Sequence, residues 1–564
     1  MLIQPLPTEV VHLIAAGETI DSIAAVVREL VDNAIDAGAT RISISVWPSL
    51  WRVQVADNGM GTSWENLKLA ASAHSTSKIH HSADLNRITS LGFRGEALHS
   101  LAQLADLEIC SRTRVGNGWQ VTYDRRGKPQ RIEPVAIAPG TIVSVSNLFQ
   151  DWSARREALP SASQQLRSVQ QFVGQMALCH PQITWQVKRD DRHWFAISPG
   201  QTPRQILPQI ARNVRPEDLQ HLRVEITEDL LSEEIPSSNP ISQSIELVLG
   251  LPDRCHRRRL DWVKVAANGR IVRLPDLEGT IVSAFAKTLP RDRYPLCFAH
   301  LQLLPEAIDW NRHPAKTEIY LHRVEAWQQR LKDAIDRALR LSPAHAPAAS
   351  KQRVTQLIKA SEARGKYSVM PPSNAGDGSA EESLPQSLRA VAQVSNTYIV
   401  AEHPTGMWLV EQHIAHERVL YEELCDRWQL VPIEPPLVLE WLETQQIEQL
   451  QRLGIEIESF GEQMWAVRTV PALLKEREDC AAAIVELSQG GDLQAAQVAT
   501  ACRSAIRNGT PLTLPEMQTL LDRWQRTRNP RTCPHGRPIY LVLEETALAR
   551  YFRRHWVIGK SHGI

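Results

Sequence analysis

The sequence predicts an α/β (α+β) multidomain protein, and three observations carry that expectation. Residues 29–39 (ELVDNAIDAGA), read with the residues before them, have helical periodicity and then meet a glycine. Residues 52–56 (RVQVA) alternate as a strand and run straight into the glycine turn 57–61 (DNGMG). Further along, a tract rich in proline and small residues separates two regions that both mix helical and strand patterns.

The elements follow in order. At about 100° per residue, Ile23, Val27, Leu30 and Ala34 share one helical face, while Glu29, Asn33 and Asp36 share the other with Asp32 at its edge. Gly38 suits a left-handed cap. Such a helix docks on a core by its back, and its front could hold a metal ion or a polarised water. Residues 73–78 (AHSTSK) are polar and read as part of a lid, and 91–98 (LGFRGEAL) reads as glycines opening a helix whose free N–H groups suit an anion. Residues 140–149 (GTIVSVSNLF) alternate as a strand. In 205–341, residues 246–251 read as a strand, and 263–272 read as a hairpin because Asn268-Gly269 favours a type I′ turn. Residues 342–386 lack hydrophobic periodicity and read as a flexible linker. In 387–564, residues 397–401 and 407–410 read as paired strands around Pro404-Thr405-Gly406, and the second runs into 411–422 (EQHIAHERVLYE). There are no internal repeats.

Composition narrows the function classes. A chain of 564 residues points to three or four domains. Its 63 Lys plus Arg balance 63 Asp plus Glu, so any nucleic-acid contact must come from local patches such as 254–259 (RCHRRR). Eight scattered cysteines suit reduced thiols or metal ligands better than a disulfide framework. The start of the chain lacks the form of a signal peptide, and no apolar run approaches the roughly 20 residues of a membrane helix. A soluble, cytoplasmic protein without membrane contact is expected.

The order Glu-x-x-x-Asn, Asp-x-Gly-x-Gly and a Gly-x-x-Gly lid resembles the GHKL ATPase superfamily shared by DNA gyrase, the Hsp90 chaperone, histidine kinases and MutL. The wording GFRGEAL, with 14–18 (IAAGE) upstream, resembles the MutL mismatch-repair family. That resemblance implies a GHKL ATPase domain over 1–204, a ribosomal-S5-like α/β domain over 205–341, the linker, and a dimerisation domain over 387–564. It implies that ATP and Mg2+ bind, with Glu29 as general base and Asn33 as Mg2+ ligand. Asp57 would take the adenine amino group, and Thr141 would add to adenine recognition. Asp36, Lys78, Phe93 and Arg94 would line the site, and Gly59, Gly61, Gly92 and Gly95 would let backbone approach the nucleotide. Residues 308–316 (IDWNRHPAK) are similar to the family loop that reaches the ATP site, so Lys316 would contact the γ-phosphate.

A second constellation lies near the other end. His413 and Glu417 are four apart, so a helix presents both to one ion; Cys502, and Cys533 with His535 in 533–538 (CPHGRP), offer thiolates and imidazole. Together these resemble the nuclease motifs of the MutL subfamily that cuts DNA itself, as does 552–554 (FRR). The resemblance implies Zn2+ and/or Mn2+ held by His413, Glu417, Cys502, Cys533 and His535, with Glu411 and Glu417 catalytic, and nicking of one strand as the reaction. Departures from the family pattern are Glu411 for Asp, Ile414 for Ala, Asp21-Ser22-Ile23 for an Arg-Pro, Ala73 for an arginine, and 427–432 (RWQLVP) for a sliding-clamp motif that begins with Gln. The implied partners are double-stranded DNA, a MutS-type mismatch sensor, the sliding clamp and a second copy of the chain. The alternative is an ATP-switched scaffold of mismatch repair without its own nicking activity. A chaperone of the Hsp90 type is disfavoured by the CPHGRP loop, and a histidine kinase would need a phosphoacceptor helix before its ATP domain.

Overall fold

The computed structural model describes residues 8–76, 78, 90–92, 95–226, 243–309, 319–340, 388–545 and 548. It divides into two compact units, Met1–Gly250 with Arg259–Ala284 and Pro295–Ile335, and Leu251–Arg258 with Phe285–Tyr294 and Asp336–Ile564. Among the described residues no helix is long and apolar enough to cross a membrane.

In the first unit, helix α1 (Thr8–Thr19) precedes helix α2 (Ile23–Asp36). An eight-stranded sheet is built from β1 (Arg41–Trp47), β2 (Arg52–Asp57), β3 (Asp106–Arg112), β4 (Trp119–Tyr123), β5 (Pro129–Pro134), β6 (Gly140–Ser146), β7 (Thr184–Arg189) and β8 (Arg192–Ile197). Its order is β5-β4-β3-β6-β2-β1-β7-β8, with only the β1–β7 pair parallel among these strands. Alternation explains the packing. Ile42, Ile44 and Val46 of β1 and Val53 and Val55 of β2 point inward, where the apolar back of α2 is also buried. The predicted back residues Ile23, Val27, Leu30 and Ala34 are all buried. The Asp21-Ser22 departure has a local purpose: Ser22 is the N-cap of α2, its hydroxyl accepting from Ala25 N at 3.1 Å. At the other end Gly38 has φ +71° and Ala39 N donates to Ala34 O at 3.1 Å, as the sequence predicts. The strand predicted from Gly140 stops at Ser146, because Asn147 and Phe149 both turn left-handed.

The remaining part of this unit holds a five-stranded sheet in the order Arg270–Val272, Val263–Ala267, Cys297–Gln302, Gln243–Gly250, Leu219–Ile226. The predicted hairpin is present. Ala267 pairs with Arg270, and Asn268 and Gly269 have φ of 44° and 87°, the double positive φ of a type I′ turn.

In the second unit, the strands Arg389–Val394, Tyr398–His403, Gly406–Glu411 and Tyr540–Glu544 form an antiparallel sheet in that order. Its inner face packs Ile399, Ala401 and Val410 against Val419, Leu521 and Trp524. The predicted pair of strands around Pro404-Thr405 is the centre of this sheet. A separate core of Leu439, Leu450, Val467 and Ile484 lies under a three-stranded sheet formed by Leu430–Glu440, Met464–Pro471 and Ile457–Gly461.

His300 is buried beneath the Asn-Gly turn, and its Nε2 accepts from Gly269 N at 2.9 Å. Burial is the main cause that lowers its pKa to about 4. The unfolded chain therefore binds a proton at higher pH than the native state, so stability falls as pH drops below about 6.5 and levels off near 4. In urea titrations, the parent is expected to lose roughly 2 kcal/mol more than a His300→Gln variant between pH 7 and pH 5. Equal losses would show that His300 is not held neutral.

Candidate functional site

The first site is built on the polar front of α2. Glu29 is half-buried, with Arg28 Nε 3.5 Å from its Oε1. One turn on, Asn33 Oδ1 accepts from Lys78 Nζ at 3.3 Å, and another turn brings Asp36. Asp36 is the hub: Lys78 Nζ donates to its Oδ2 at 2.5 Å, while Leu91 N and Gly92 N donate to its two oxygens at 2.9 Å each. The N–H groups that the sequence predicts to suit an anion thus hold a carboxylate of the chain itself. Gly92 sits tightly against these groups: an added Cβ would lie 3.1 Å from Lys78 Nζ and 3.4 Å from Asn33 Oδ1.

The turn after β2 closes against the end of α2. Met60 N donates to Ala37 O at 2.9 Å, and a Cβ on Gly59 would come within 2.7 Å of that same oxygen. Gly59 N donates to Asp57 Oδ1 at 2.8 Å. Burial pushes the Asp57 carboxyl up to about 6, against the lowering effect of hydrogen bonds from the Gly59 and Thr141 backbone. Gly95 is left-handed at φ +65°, and a Cβ there would lie 2.8 Å from Ser75 O. Sequence reasoning missed Ser111. Its fully buried hydroxyl accepts from Thr62 N at 2.8 Å, donates to Gly140 O at 3.1 Å and lies 2.9 Å from Thr141 Oγ1. It therefore ties the threonine to the turn beyond Gly61. A serine in an alternating strand carries no signal of this in sequence.

Asp32 corrects the helical reading. Instead of edging the polar front, it is 1% exposed and ion-paired with Arg270 of the Asn-Gly hairpin. A residue more than two hundred positions away covers that side of the helix, which no helical projection can show. Phe93, Arg94 and Lys316 lie outside the described residues.

The second site is organised by the helix Gln412–Asp426. Glu417 is fully buried; His535 Nδ1 stands 2.8 Å from its Oε1 and Arg537 Nη2 donates to Oε2 at 3.1 Å. Cys533 receives His535 N at 3.3 Å and Arg537 Nε at 3.5 Å. Ligand atoms of Glu417, Cys533 and His535 all lie within 4.8 Å of one another. Cys502, on the helix Leu493–Ser504, is outside this cluster of three; burial first, and then the charge of nearby Glu417, pushes its thiol pKa up. His413 is one turn from Glu417 but outside this cluster of three; its Nδ1 donates to Ile506 O at 2.9 Å. Glu411 is the helix N-cap, its carboxylate accepting from Ile414 N and from Asn508 Nδ2 at 2.6 Å.

Electrostatics follow from this packing. Burial raises Glu417, but the hydrogen bond and charge of His535 and the charge of Arg537 outweigh it and leave the carboxyl below its usual range. His535 is pushed up to about 9, first by its contact with Cys533 and then by Glu417. The same helix grips the loop that carries these groups. Buried Arg418 donates from Nε to Thr532 O at 2.7 Å, and Glu422 accepts from Arg528 N at 2.7 Å and Asn529 N at 3.0 Å. Arg418 was not legible as functional, because an arginine on a helix is ordinarily solvated.

Comparisons with known proteins cover the whole chain. Residues 21–140 match the family described as histidine kinase-, DNA gyrase B-, and HSP90-like ATPase. Residues 223–340 match the C-terminal domain of DNA mismatch repair protein, and 391–512 match the MutL C terminal dimerisation domain. A DNA mismatch repair protein MutL of Nostoc sp. is 61% identical, covering 100% of this chain and 99% of its own. That of Nostoc punctiforme is 62% identical, with 100% of both chains covered. A solved Aquifex aeolicus MutL ATPase domain complexed with ADP is 18% identical with a TM-score of 0.37, covering 51% of this chain and 93% of its own.

Gly61 tests whether the turn after β2 shapes a nucleotide pocket. It has φ +71°, and a Cβ would lie 2.0 Å from Arg112 O. A Gly61→Ala substitution adds roughly 1–3 kcal/mol of backbone strain before the clash is counted. A lower melting temperature and weakened ATP binding are expected; parental ATP affinity would show that this turn does not shape the pocket.

Proposed function

The chain belongs to the MutL family of DNA mismatch repair proteins, and on that premise we propose that it is an ATP-operated homodimer that nicks DNA at a metal-dependent site in its C-terminal region. Its ATPase domain is of the GHKL type. In the proposed cycle Glu29 takes the proton of the attacking water, Asn33 holds Mg2+, and Asp57 and Thr141 meet the adenine. Lys78 and the N–H groups of Leu91 and Gly92 meet the phosphates. Support comes from the way these donors already converge on the carboxylate of Asp36. The roles of Phe93, Arg94 and Lys316 rest on the resemblance alone.

The observation that carries the nicking half is the buried Glu417–Cys533–His535 cluster with Cys502 beside it. A carboxylate this buried needs positive charge, and His535 and Arg537 supply it here. The mixed sulfur, nitrogen and oxygen donors suit Zn2+ or Mn2+. His413, with its Nδ1 proton engaged by Ile506 O, keeps its lone pair on Nε2 for a ligand. A bound Zn2+ or Mn2+ would supply a Lewis acid that activates water and neutralises phosphate charge. Glu411 favours the second reading, a scaffold without nicking, since its oxygens cap the helix. Duplex DNA at residues 254–259, a MutS-type sensor, a sliding clamp at 427–432 and a cytoplasmic location belong to the same proposal. Leu430 and Val431 pair with Pro471 and Val470, so a clamp would take that segment from its free side.

The homodimer contact is assigned to the outer face of the four-stranded sheet. There Val400, Leu409 and Leu541 are cross-strand neighbours, and Val394, Tyr398 and Leu541 are 48%, 45% and 57% exposed. Contiguous apolar exposure of this kind marks an association surface, and these strands lie in or beside the matched dimerisation domain.

Two experiments test the proposal. With supercoiled plasmid and Mn2+, the parent is expected to produce nicked circles, and Glu417→Ala to lose at least about tenfold in rate while still hydrolysing ATP. Glu29→Ala is expected to bind ATP and fail to turn it over. Parental nicking by the Glu417→Ala protein would leave the scaffold reading. In sedimentation, Leu541→Lys is expected to convert dimer to monomer; an unchanged dimer would move the interface elsewhere.

A further inference from the structure

Three bonds close a ring around the back of the ATP site. Arg270 pairs with Asp32 of α2, and its Nη2 also donates to Leu91 O at 3.2 Å. Leu91 N returns to α2 through Asp36 Oδ1 at 2.9 Å. The ring thus joins the α2 helix, the Leu91–Gly92 segment and a turn of the second α/β region. Arg270 and Asp32 are 6% and 1% exposed, so neither charge has water as an alternative partner.

The turn that carries Arg270 is itself held from several sides. Gly269 N donates to His300 Nε2 at 2.9 Å, and Gly269 O lies 2.9 Å from His180 Nε2. Asn268 Nδ2 donates to Leu303 O at 3.0 Å and Leu303 N donates to Asn268 Oδ1 at 2.7 Å. A side chain at 269 would meet His180 Cε1 at 2.9 Å. The guanidinium therefore has one place to go, and α2 and Leu91 are referenced to it.

We propose that Arg270 is the positioning residue of the ATPase. Its Nη2, bonded to both Asp32 and Leu91 O, sets the Leu91–Gly92 segment against the Glu29–Asn33 face of α2, so the second α/β region governs ATP turnover. This rests on the reading of Glu29 and Asn33 as the catalytic face. Arg270 itself does not face that polar front; it acts through Asp32 and Leu91. The adenine end, with Asp57, Ser111 and Thr141, lies outside the ring, so binding and turnover should separate.

Arg270→Lys keeps the charge opposite Asp32, but a flexible ammonium stem does not hold one nitrogen between Asp32 and Leu91 O as the rigid planar guanidinium does. In the full-length protein it is expected to lower kcat for ATP roughly 10- to 100-fold, the scale of a small misplacement of reacting groups. KM and the affinity for a non-hydrolysable ATP analogue should shift much less than kcat, since Arg270 does not touch the adenine end and Leu91 N–H is one phosphate donor among several. The double variant Asp32→Asn with Arg270→Gln replaces the ion pair by an amide pair of similar shape and is expected to recover stability while kcat stays low. It also serves where Arg270→Lys does not fold. Glu29→Ala is run in parallel. If Glu29→Ala still hydrolyses ATP, the catalytic-face reading falls. If Glu29→Ala is inactive while folded Arg270→Lys turns over ATP at the parental rate, or loses affinity with unchanged kcat, the positioning role is overturned. Full recovery of kcat by the double variant would likewise overturn the role of the bond to Leu91 O.

Discussion

A carboxylate cannot stay ionised away from water unless donors are brought to it, and both sites in this chain are answers to that constraint. On α2, Asp32 and Asp36 draw in Arg270, Lys78 and two backbone N–H groups. On the helix Gln412–Asp426, Glu417 draws in His535 and Arg537, and Glu422 draws in two more N–H groups. In each case the helix is rigid and packed by its apolar face, and the donors arrive on loops from elsewhere in the sequence. The cost of leaving such a group unpaired is large, so the loops have little freedom to go anywhere else.

This arrangement separates stability from function in a useful way. A buried ion pair is weak evidence for net stabilisation, because desolvation offsets much of its attraction. What it does provide is a defined geometry, since a buried charge held by its few partners tolerates few placements. Asp32 with Arg270 fixes the relation between two α/β regions, and Arg418 with Thr532 O fixes the loop carrying Cys533 and His535. Asp36 is different in kind. Its donors are the groups that suit a phosphate, so its contacts can exchange for an anionic ligand without leaving N–H groups unpaired.

Much of the fold was legible because the relevant forces are local. The apolar back of α2, its Gly38 stop and the Asn268-Gly269 turn depend on neighbours within a few residues, and each stands where periodicity and turn chemistry put it. The strand from Gly140 was legible except at its end, where left-handed Asn147 and Phe149 break the extended run that their side chains had suggested. On the polar front of α2 and the turns beside it, the glycines and the Glu29–Asn33–Asp36 face were legible, whereas Ser111 was not. Its importance lies in three bonds to Thr62, Gly140 and Thr141, none of them predictable from a serine's own surroundings.

The sequence by itself determined which helices would carry carboxylates on a docked face, where glycine had to admit a close backbone, and that His413, Glu417, Cys502, Cys533 and His535 were candidates for one centre. Tertiary structure alone decided which of them meet. Glu417, Cys533 and His535 converge, Cys502 stays outside that group of three, and His413 turns to Ile506. It also decided that Asp32 belongs to Arg270 rather than to the polar front. The reason is physical: periodicity reports the face a residue occupies on its own element, but a buried charge is satisfied by whatever the rest of the chain folds against that face.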